Sequence, residues 1–181
     1  MFQPIIDSVD LSTSVLLNAR GVIDDVVSSE SLKPLFSDAD PELLFHFHFN
    51  SPVRLDGFLI RVPDEENLGV SRAPSRIFFF KNAPHLSFAD CQDSHADHQV
   101  DLEDSDYIVD RTYPGVRVAT IPFKAFKWSN TSSVTVFIES NVERSDCTVL
   151  CQIMPMGQGA SQGGLQMSRL DEVKEQAKKK K

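Results

Sequence analysis

The sequence predicts an all-β fold, an antiparallel β-sandwich or jelly roll, with a short C-terminal helix. Several short runs alternate between apolar and polar residues, a period of two that is typical of a strand with one buried face. Clusters of Pro, Gly, Asn and Asp separate the runs, as in folds built from many short antiparallel strands. No amphipathic helix of about twelve residues precedes residue 157, so parallel strands would lack crossover helices.

The clearest predicted strand spans residues 41–49. Its apolar positions lie two apart and should share the buried face: Leu43, Phe45, Phe47 and Phe49. Leu44, His46 and His48 alternate with them and should share the opposite face. We expect that face to point outward, and the alternative is that the two histidines chelate a metal or respond to pH.

Residues 50–52, Asn-Ser-Pro, are predicted to end this strand. The next run begins with Val53 and Leu55 on one face and then changes phase. Its later apolar positions are Phe58, Ile60 and Val62. The change falls at residues 56–57, Asp-Gly, where one extra residue in a β-bulge would explain it.

Four further strands are predicted at residues 76–81, 116–121, 133–139 and 147–153, and one short helix near the N-terminus. The run from Ile77 to Phe80 is apolar at every position, so we expect a core strand covered on both faces. The alternative is that one of its phenylalanines belongs to a surface patch for a partner. The last two strands should bury alternate residues: Val134, Val136, Ile138, Cys147, Val149, Cys151 and Ile153. Cys147 and Cys151 are expected to be small buried hydrophobes, because they lie too far apart along a strand for an easy disulfide.

Composition divides the 181 residues into three parts. Residues 1–157 are the predicted β-sandwich domain, 158–167 a Gly-, Gln- and Ser-rich linker, and 168–181 a basic, helical tail. Ser168 suits a helix N-cap, and the tail ends in four lysines from Lys178 to Lys181, as the helix dipole favours. Docking on the domain, nuclear import, anion binding and simple solvation all remain open for this tail.

Charge and hydropathy exclude several classes of partner. The net charge is −8, and the 23 acids and 12 bases of residues 1–164 give that part −11, which disfavours nucleic acid. No apolar run approaches the roughly 18–20 residues that cross a bilayer, and residues 1–9 lack the basic start of a signal peptide. We therefore expect a protein that is located in the cytoplasm, and also in the nucleus, and does not bind membranes. We also expect it to be a monomer. Its three cysteines make no disulfide framework.

Motifs for catalysis or metal binding are weak. Residues 159–163 (GASQG) match the G-x-S-x-G nucleophile elbow, but no histidine follows Ser161, since the last one is His98. Cys91, His95 and His98 offer zinc-type donors at a spacing that matches no standard zinc site. We expect a polar, solvated loop there, no metal or cofactor, and a protein that is not an enzyme. In a further alternative Cys91 is a reactive thiol, although its acidic neighbours should disfavour the thiolate.

Four sequence blocks occur in the order found in one known family. Residues 40–55 (DPELLFHFHFNSPVRL) are similar to its D-x-x-L-l-x-x-x-x-F-x-x-P-V-k-L. Residues 73–90 contain APSRIFFFKN and LSFAD, similar to P-x-x-v-k-l-F-x-N and l-d-F-d-d. Residues 123–141 (FKAFKWSNTSSVTVFIESN) are similar to v-k-F-q-n-v-x-s-l-t-l-F-v-e-x-N, and IDSVD at residues 6–10 is similar to the family's start. Together these blocks resemble the PITH domain, the C-terminal proteasome-interacting module of a cytosolic thioredoxin-like protein.

The resemblance implies a galactose-binding-like jelly roll with a protein-interaction role and no catalytic residues. The partner it implies is the proteasome, through the regulatory particle. The sequence contains no thioredoxin domain, so no redox activity carries over, and residues 154–157 (MPMG) depart from the family's glycine-containing turn. The alternative function is small-ligand or carbohydrate binding at the sandwich loops. With one Trp and two Tyr, few side chains of those types are available to stack on a sugar.

Overall fold

The computed structural model describes residues 3–28, 32–64 and 71–159. The strands of this part of the chain are β1 (Val15–Leu17), β2 (Leu35–Phe36), β3 (Leu43–Pro63), β4 (Arg76–Lys81), β5 (His98–Asp101), β6 (Ile108–Val109), β7 (Val116–Pro122), β8 (Thr131–Ile138), β9 (Val149–Leu150) and β10 (Gln152–Gln158). The helices are α1 (Ile23–Val27) and α2 (Phe88–Asp93), with single 3-10 turns at Ile6–Ser8 and Asp104–Asp106. The described helices are too short and too polar to cross a bilayer.

The long strand β3 belongs to two layers of the fold. Its first half pairs with β8 on one side and β1 on the other, and β4 and β5 extend this first layer beyond β8. Its second half pairs with β7 and β10, and β6 extends this second layer beyond β7. Every one of these pairings is antiparallel, and β2 and β9 form a separate two-stranded ladder. The predicted antiparallel sandwich is confirmed.

The main core lies between the two layers. Phe58 of the second layer has its ring centroid 5.6 Å from Phe47 and 5.3 Å from Phe79, both on the first layer. The alternating residues predicted to face inward on β3 all lie in this core: Leu43, Phe45, Phe47, Phe49, Val53, Leu55, Phe58, Ile60 and Val62. Burying a side chain of this size stabilises the folded state by about 1.5–3 kcal/mol.

The predicted end of a strand at residues 50–52 is wrong. β3 continues through Asn50, Ser51 and Pro52, which are exposed, and only its register with β8 shifts, between His48 and Val53. Proline suits an extended backbone, and its missing N–H group does no harm in an exposed stretch outside the β8 ladder. The strand therefore turns from one layer into the other without ending.

The predicted β-bulge at residues 56–57 is confirmed. Met156 of β10 pairs with Gly57, whereas the next residue, Gly157, pairs with Leu55, so that Asp56 is the extra residue. The strands approach closely here, because a Cβ on Gly157 would lie 2.0 Å from the carbonyl oxygen of Arg54. Only glycine fits at that position.

The predicted strand at residues 147–153 is divided into two. β9 pairs with β2, the chain bends at Cys151, and β10 then pairs with β3 as far as Gln158. A hydrogen bond from the Cys151 N–H group to the Arg61 carbonyl oxygen, at 2.8 Å, holds this bend in place. The change of partner strand explains why one continuous alternation could not describe this segment.

A second, smaller core covers the outer face of the first layer. Leu44, Phe80 and Phe137 point outward from their strands and are buried beneath α2, which contributes Cys91. The helix begins at a capping box, in which the Ser87 hydroxyl accepts from the Asp90 N–H group and the Asp90 carboxylate accepts from the Ser87 N–H group. The prediction that residues 77–80 are covered on both faces is confirmed.

The predicted outward position of His46 is wrong, because the segment that carries α2 covers this face too. His46 is 8% exposed, and its Nδ1 lies 2.9 Å from the Thr135 hydroxyl oxygen. That hydroxyl donates to the Ala83 carbonyl oxygen at 2.6 Å, so its oxygen accepts a hydrogen bond from the His46 Nδ1–H group. Burial, then the nearby His48 and His85, lower the pKa of His46. His48 is half-buried.

This burial predicts loss of stability in mild acid. Below about pH 6.5 the unfolded chain protonates His46, but the folded chain does so only at lower pH because its pKa is lowered. The free energy of unfolding should therefore fall with falling pH in this window. The Asn amide in His46→Asn can still donate to Thr135. When the free energy of unfolding is measured with urea between pH 7.5 and pH 5, it should change less steeply with pH in His46→Asn than in the wild type or in the exposed control His95→Asn. Equal slopes in all three proteins would contradict the assignment.

Candidate functional site

The structure separates the three residues of the weak metal motif. Cys91 lies in α2 and faces the second core, His95 is exposed, and His98 begins β5 with its ring centroid 4.9 Å from that of Phe123. Within residues 3–28, 32–64 and 71–159, no group of three or more His, Cys, Asp or Glu side chains is arranged to hold a metal ion. The solvated loop expected around Cys91 is wrong, because a capped helix turns this side chain inward.

The Cys91 thiol is a structural group. Burial, followed by the charges of Asp90 and Glu42, raises its pKa to about 12. The thiolate is the reactive form of cysteine, so the thiol stays protonated at neutral pH. Its packing in the second core agrees with this character.

Several predicted features lie outside the described residues. Gly159 of the GASQG motif is described and is buried beside Ser8. Residues 160–163, which include Ser161, lie outside the described residues. The linker from residue 160 onward and the basic tail at 168–181, with Lys178 to Lys181, also fall outside the described part of the chain.

One end of the sandwich carries a polar groove of about 590 Å³. Arg76 crosses it, with its Nε 2.8 Å from Asp101 and its Nη1 3.5 Å from Glu139. No aromatic residue is among the described residues that line the groove. Because sugar recognition commonly uses an aromatic face, the groove lacks the main apolar element of a carbohydrate site.

The Trp and Tyr rings of the chain are not available as sugar platforms either. Trp128 and Tyr107 are buried, and the Tyr107 hydroxyl donates to the Pro74 carbonyl oxygen at 2.7 Å. Tyr113 is half-buried, with the Arg61 guanidinium 4.8 Å from its ring centroid.

The opposite end of the sandwich carries an exposed phenylalanine. The segment between β7 and β8, residues 123–130, turns tightly: the Lys127 N–H group donates to the Lys124 carbonyl oxygen at 2.8 Å, and the Trp128 N–H group to the Ala125 carbonyl oxygen at 3.1 Å. Phe126 lies at the tip and is 76% exposed, the highest value among the large apolar side chains that the structure describes. We call residues 123–130 the Phe126 loop.

The Phe126 loop is held in place from below. Lys81 of β4 donates through Nζ to the carbonyl oxygens of Lys127 and Ser129, at 2.9 and 2.7 Å. Trp128 is buried and stacks on Phe123 with ring centroids 4.3 Å apart. These contacts order the loop before any partner binds, which lowers the entropic cost of binding.

The charge on the Phe126 loop is positive and unneutralised. Lys124 and Lys127 are exposed, and neither forms an ion pair with a carboxylate of residues 3–28, 32–64 or 71–159. Five arginines, in contrast, do pair with carboxylates: Arg20, Arg54, Arg61, Arg76 and Arg117. The loop can therefore offer an apolar ring between two cationic side chains to another molecule.

The sequence pattern does not reveal this site. The segment FKAFKWSN is predicted only as part of a family block, and its pattern does not distinguish Phe126 from the buried Phe123 and Trp128. The available signal was an apolar residue between two lysines just after a strand. That signal is weak, because an amphipathic strand gives the same local pattern.

The comparisons with known proteins agree with this architecture. The model of a family described as "PITH domain" matches residues 1–175. A relative, "PITH domain-containing protein 1" of Danio rerio, is 44% identical over 54 residues, which cover 30% of this chain and 23% of the relative. The aligned stretch thus spans less than a quarter of that protein.

Solved structures share the fold at low identity. The CBM32-1, CBM32-2 and M60 catalytic domains of Clostridium perfringens ZmpB match with a TM-score of 0.58 and 8% identity, covering 87% of this chain and 15% of that one. The fucolectin of striped bass, Morone saxatilis, matches with a TM-score of 0.51 and 10% identity, covering 87% and 49%. These likenesses confirm the predicted galactose-binding-like jelly roll.

Proposed function

Because the chain belongs to the PITH domain family, we propose that it is an adaptor that binds a protein partner through the Phe126 loop, and that this partner is the regulatory particle of the proteasome. The PITH domain is a non-catalytic type of domain. The proteasome assignment rests on the family resemblance of the four sequence blocks. We further propose that the protein acts as a monomer in the cytoplasm and nucleus, without nucleic acid or membrane.

The exposed Phe126 on its ordered loop carries the proposal. Phenylalanine is enriched in the cores of protein interfaces, where a few large side chains supply most of the binding energy. A side chain that is 76% exposed gains burial only when a partner covers it. Because Lys81 and Trp128 already fix the loop, little of that gain is spent on ordering it.

Carbohydrate binding is the weaker alternative. A neighbouring structure of the ZmpB domains is described in complex with GalNAc, but it is 9% identical to this chain and supports the fold alone. The polar groove contains no aromatic residue, and Trp128 and Tyr107 are buried. No feature of the described residues favours a sugar over a protein partner.

The proposal predicts the effect of removing one side chain. Phe126→Ala should weaken binding to purified regulatory particle by about 2 kcal/mol or more, roughly 30-fold, because it deletes a central interface residue. Its thermal stability should match that of the wild type, since the ring is exposed. Surface plasmon resonance with the full chain provides the measurement.

A matched control comes from the far end of the second layer. Val109 of β6 is 67% exposed, so Val109→Ala truncates another highly accessible apolar side chain, away from the loop. We expect Val109→Ala to bind like the wild type. Wild-type affinity for Phe126→Ala, or equal weakening in both variants, would rule out the Phe126 loop as the contact.

A further inference from the structure

Resting on the proposed protein-binding role of the Phe126 loop, we infer that its partner presents an acidic segment with one large apolar side chain. The apolar side chain packs on Phe126, and the carboxylates of the segment lie beside Lys124 and Lys127. The chemical class of partner is therefore an acidic, partly apolar stretch of polypeptide.

The turn geometry brings the three side chains together. The hydrogen bond from Lys127 N–H to Lys124 C=O closes a turn in which Phe126 is the third residue. The Cα atoms of the first and fourth residues of such a turn lie within about 7 Å of each other. Two ammonium groups on flexible stems thus flank one exposed ring, within reach of neighbouring residues on one short peptide.

A cavity of about 340 Å³ opens beside the turn and can accept the charged groups of that peptide. The charged and titratable residues among its described lining are His95, Asp97, His98, Lys124 and Lys127. Asp97 provides the carboxylate among these residues, and its Oδ2 already accepts a hydrogen bond from the backbone N–H group of Lys81 at 2.7 Å. Burial, then the charge of Lys124, lowers the pKa of His98, so its ring is neutral at pH 7. The positive charge at the cavity mouth therefore comes from the two lysines.

Charge complementarity selects an acidic partner. Residues 1–164 carry −11, and the five ion-paired arginines are already neutralised. The Phe126 loop, residues 123–130, contains two lysines and no acid. An acidic segment that approaches this protein is repelled by most of its surface and attracted at the loop, which gives both orientation and specificity.

An anionic membrane is the competing occupant, because an exposed phenylalanine between lysines also suits a lipid surface. Two observations favour the peptide. A membrane is a broad surface, so the negative charge of residues 1–164 opposes its approach more than that of a short segment that contacts the Phe126 loop alone. In addition, Phe126 is the one large apolar side chain of the loop that is exposed, since Phe123 and Trp128 are buried. Inserting a single ring into a lipid surface contributes little binding energy.

The test uses the full chain and a defined probe. A short fluorescent peptide with a central Leu-Phe pair flanked by Glu is titrated with the protein and followed by anisotropy, beside the same peptide with Gln in place of Glu. We expect the Glu peptide to bind about tenfold or more tighter, and this difference to shrink as NaCl rises from about 0.05 M to about 0.5 M. Equal affinity for the two peptides, or no measurable binding of the Glu peptide, overturns the inference.

Two charge-reversal variants locate the binding site. Lys124→Glu combined with Lys127→Glu should abolish the preference for the Glu peptide. Arg111→Glu combined with Arg144→Glu changes the net charge equally at exposed positions near the other end of the sandwich, and should keep the preference. Loss in both variants shows a general charge effect and overturns the inference. So does lysine-dependent binding to phosphatidylserine vesicles that exceeds binding to the Glu peptide.

The same proteins separate this inference from the proposed function. If Phe126→Ala loses the regulatory particle while the double lysine variant keeps it, the adaptor role stands and the acidic partner is wrong. If the wild type binds the Glu peptide through its lysines but does not bind the regulatory particle, the peptide chemistry stands and the proteasome assignment is wrong.

Discussion

Asp110→Ala is expected to lower the free energy of unfolding by about 3–5 kcal/mol, because it breaks a buried ion pair by removing one partner. Asp110 Oδ2 lies 2.6 Å from Arg61 Nε, and the two side chains are 6% and 14% exposed. Burial acts to raise the pKa of Asp110, but hydrogen bonds from Arg61 and from the N–H groups of Thr112 and Tyr113 outweigh it, and the pKa is lowered. The variant leaves the Arg61 guanidinium with Gln152 as its remaining polar partner among the described residues.

The matched control is the exposed pair of Arg20 and Asp38, whose side chains are 64% and 65% exposed. Asp38→Ala should change the free energy of unfolding by no more than about 1 kcal/mol, since exposed pairs contribute little. Urea denaturation gives both values, provided that the slope against urea concentration is the same in each variant. A loss below about 1 kcal/mol for Asp110→Ala would show that Arg61 finds water or another partner.

Phe58→Ala alone is expected to lower the free energy of unfolding by about 3–5 kcal/mol, because it leaves a cavity in the core. The ring is fully buried between the layers, with Phe47, Phe79 and Phe123 at centroid distances of 5.6, 5.3 and 5.8 Å. Its loss removes the transfer energy of the ring and leaves a cavity that the strands of the two layers cannot close. Phe58→Leu keeps most of the volume and should cost less than half as much.

Chemical denaturation of both Phe58 variants measures this effect. Because Phe58 joins the layers, Phe58→Ala should lower the stability of the whole domain in one transition, without an early separate step. A cost near 1 kcal/mol, or a second transition at low urea, would contradict the single interlayer core.

The sequence pattern predicted the parts of the fold in which a strand buries one face in the main core. Leu43, Phe45 and Phe47 alternate over a full strand, and the phase change at residues 56–57 marked the bulge correctly. Strands of two residues, such as β6 at Ile108–Val109, were not predicted because two residues show no period. The six-residue α2 was missed because fewer than two helical turns give no clear period, and the burial of His46 was missed with it.

The candidate site was less predictable than the fold. Phe123, Phe126 and Trp128 are all large aromatic residues of one short segment, and the sequence does not show which of them is exposed. The stacking of Trp128 on Phe123 buries those two rings, and the turn at residues 124–127 leaves Phe126 exposed. The lysine that fixes this loop, Lys81, lies on another strand and carries no local signal. The site therefore depends on a local turn without periodicity and on a contact from a distant strand, and neither gives a pattern in a window of sequence.

Site-specific photo-cross-linking tests the central claim most directly. p-Benzoylphenylalanine in place of Phe126 should form cross-links to subunits of the proteasome regulatory particle in living cells, because the ring would lie inside the interface. The same photoreactive group in place of Val109, an exposed position outside the Phe126 loop, should form none. Cross-links to the regulatory particle from position 109 and none from position 126 would contradict the account.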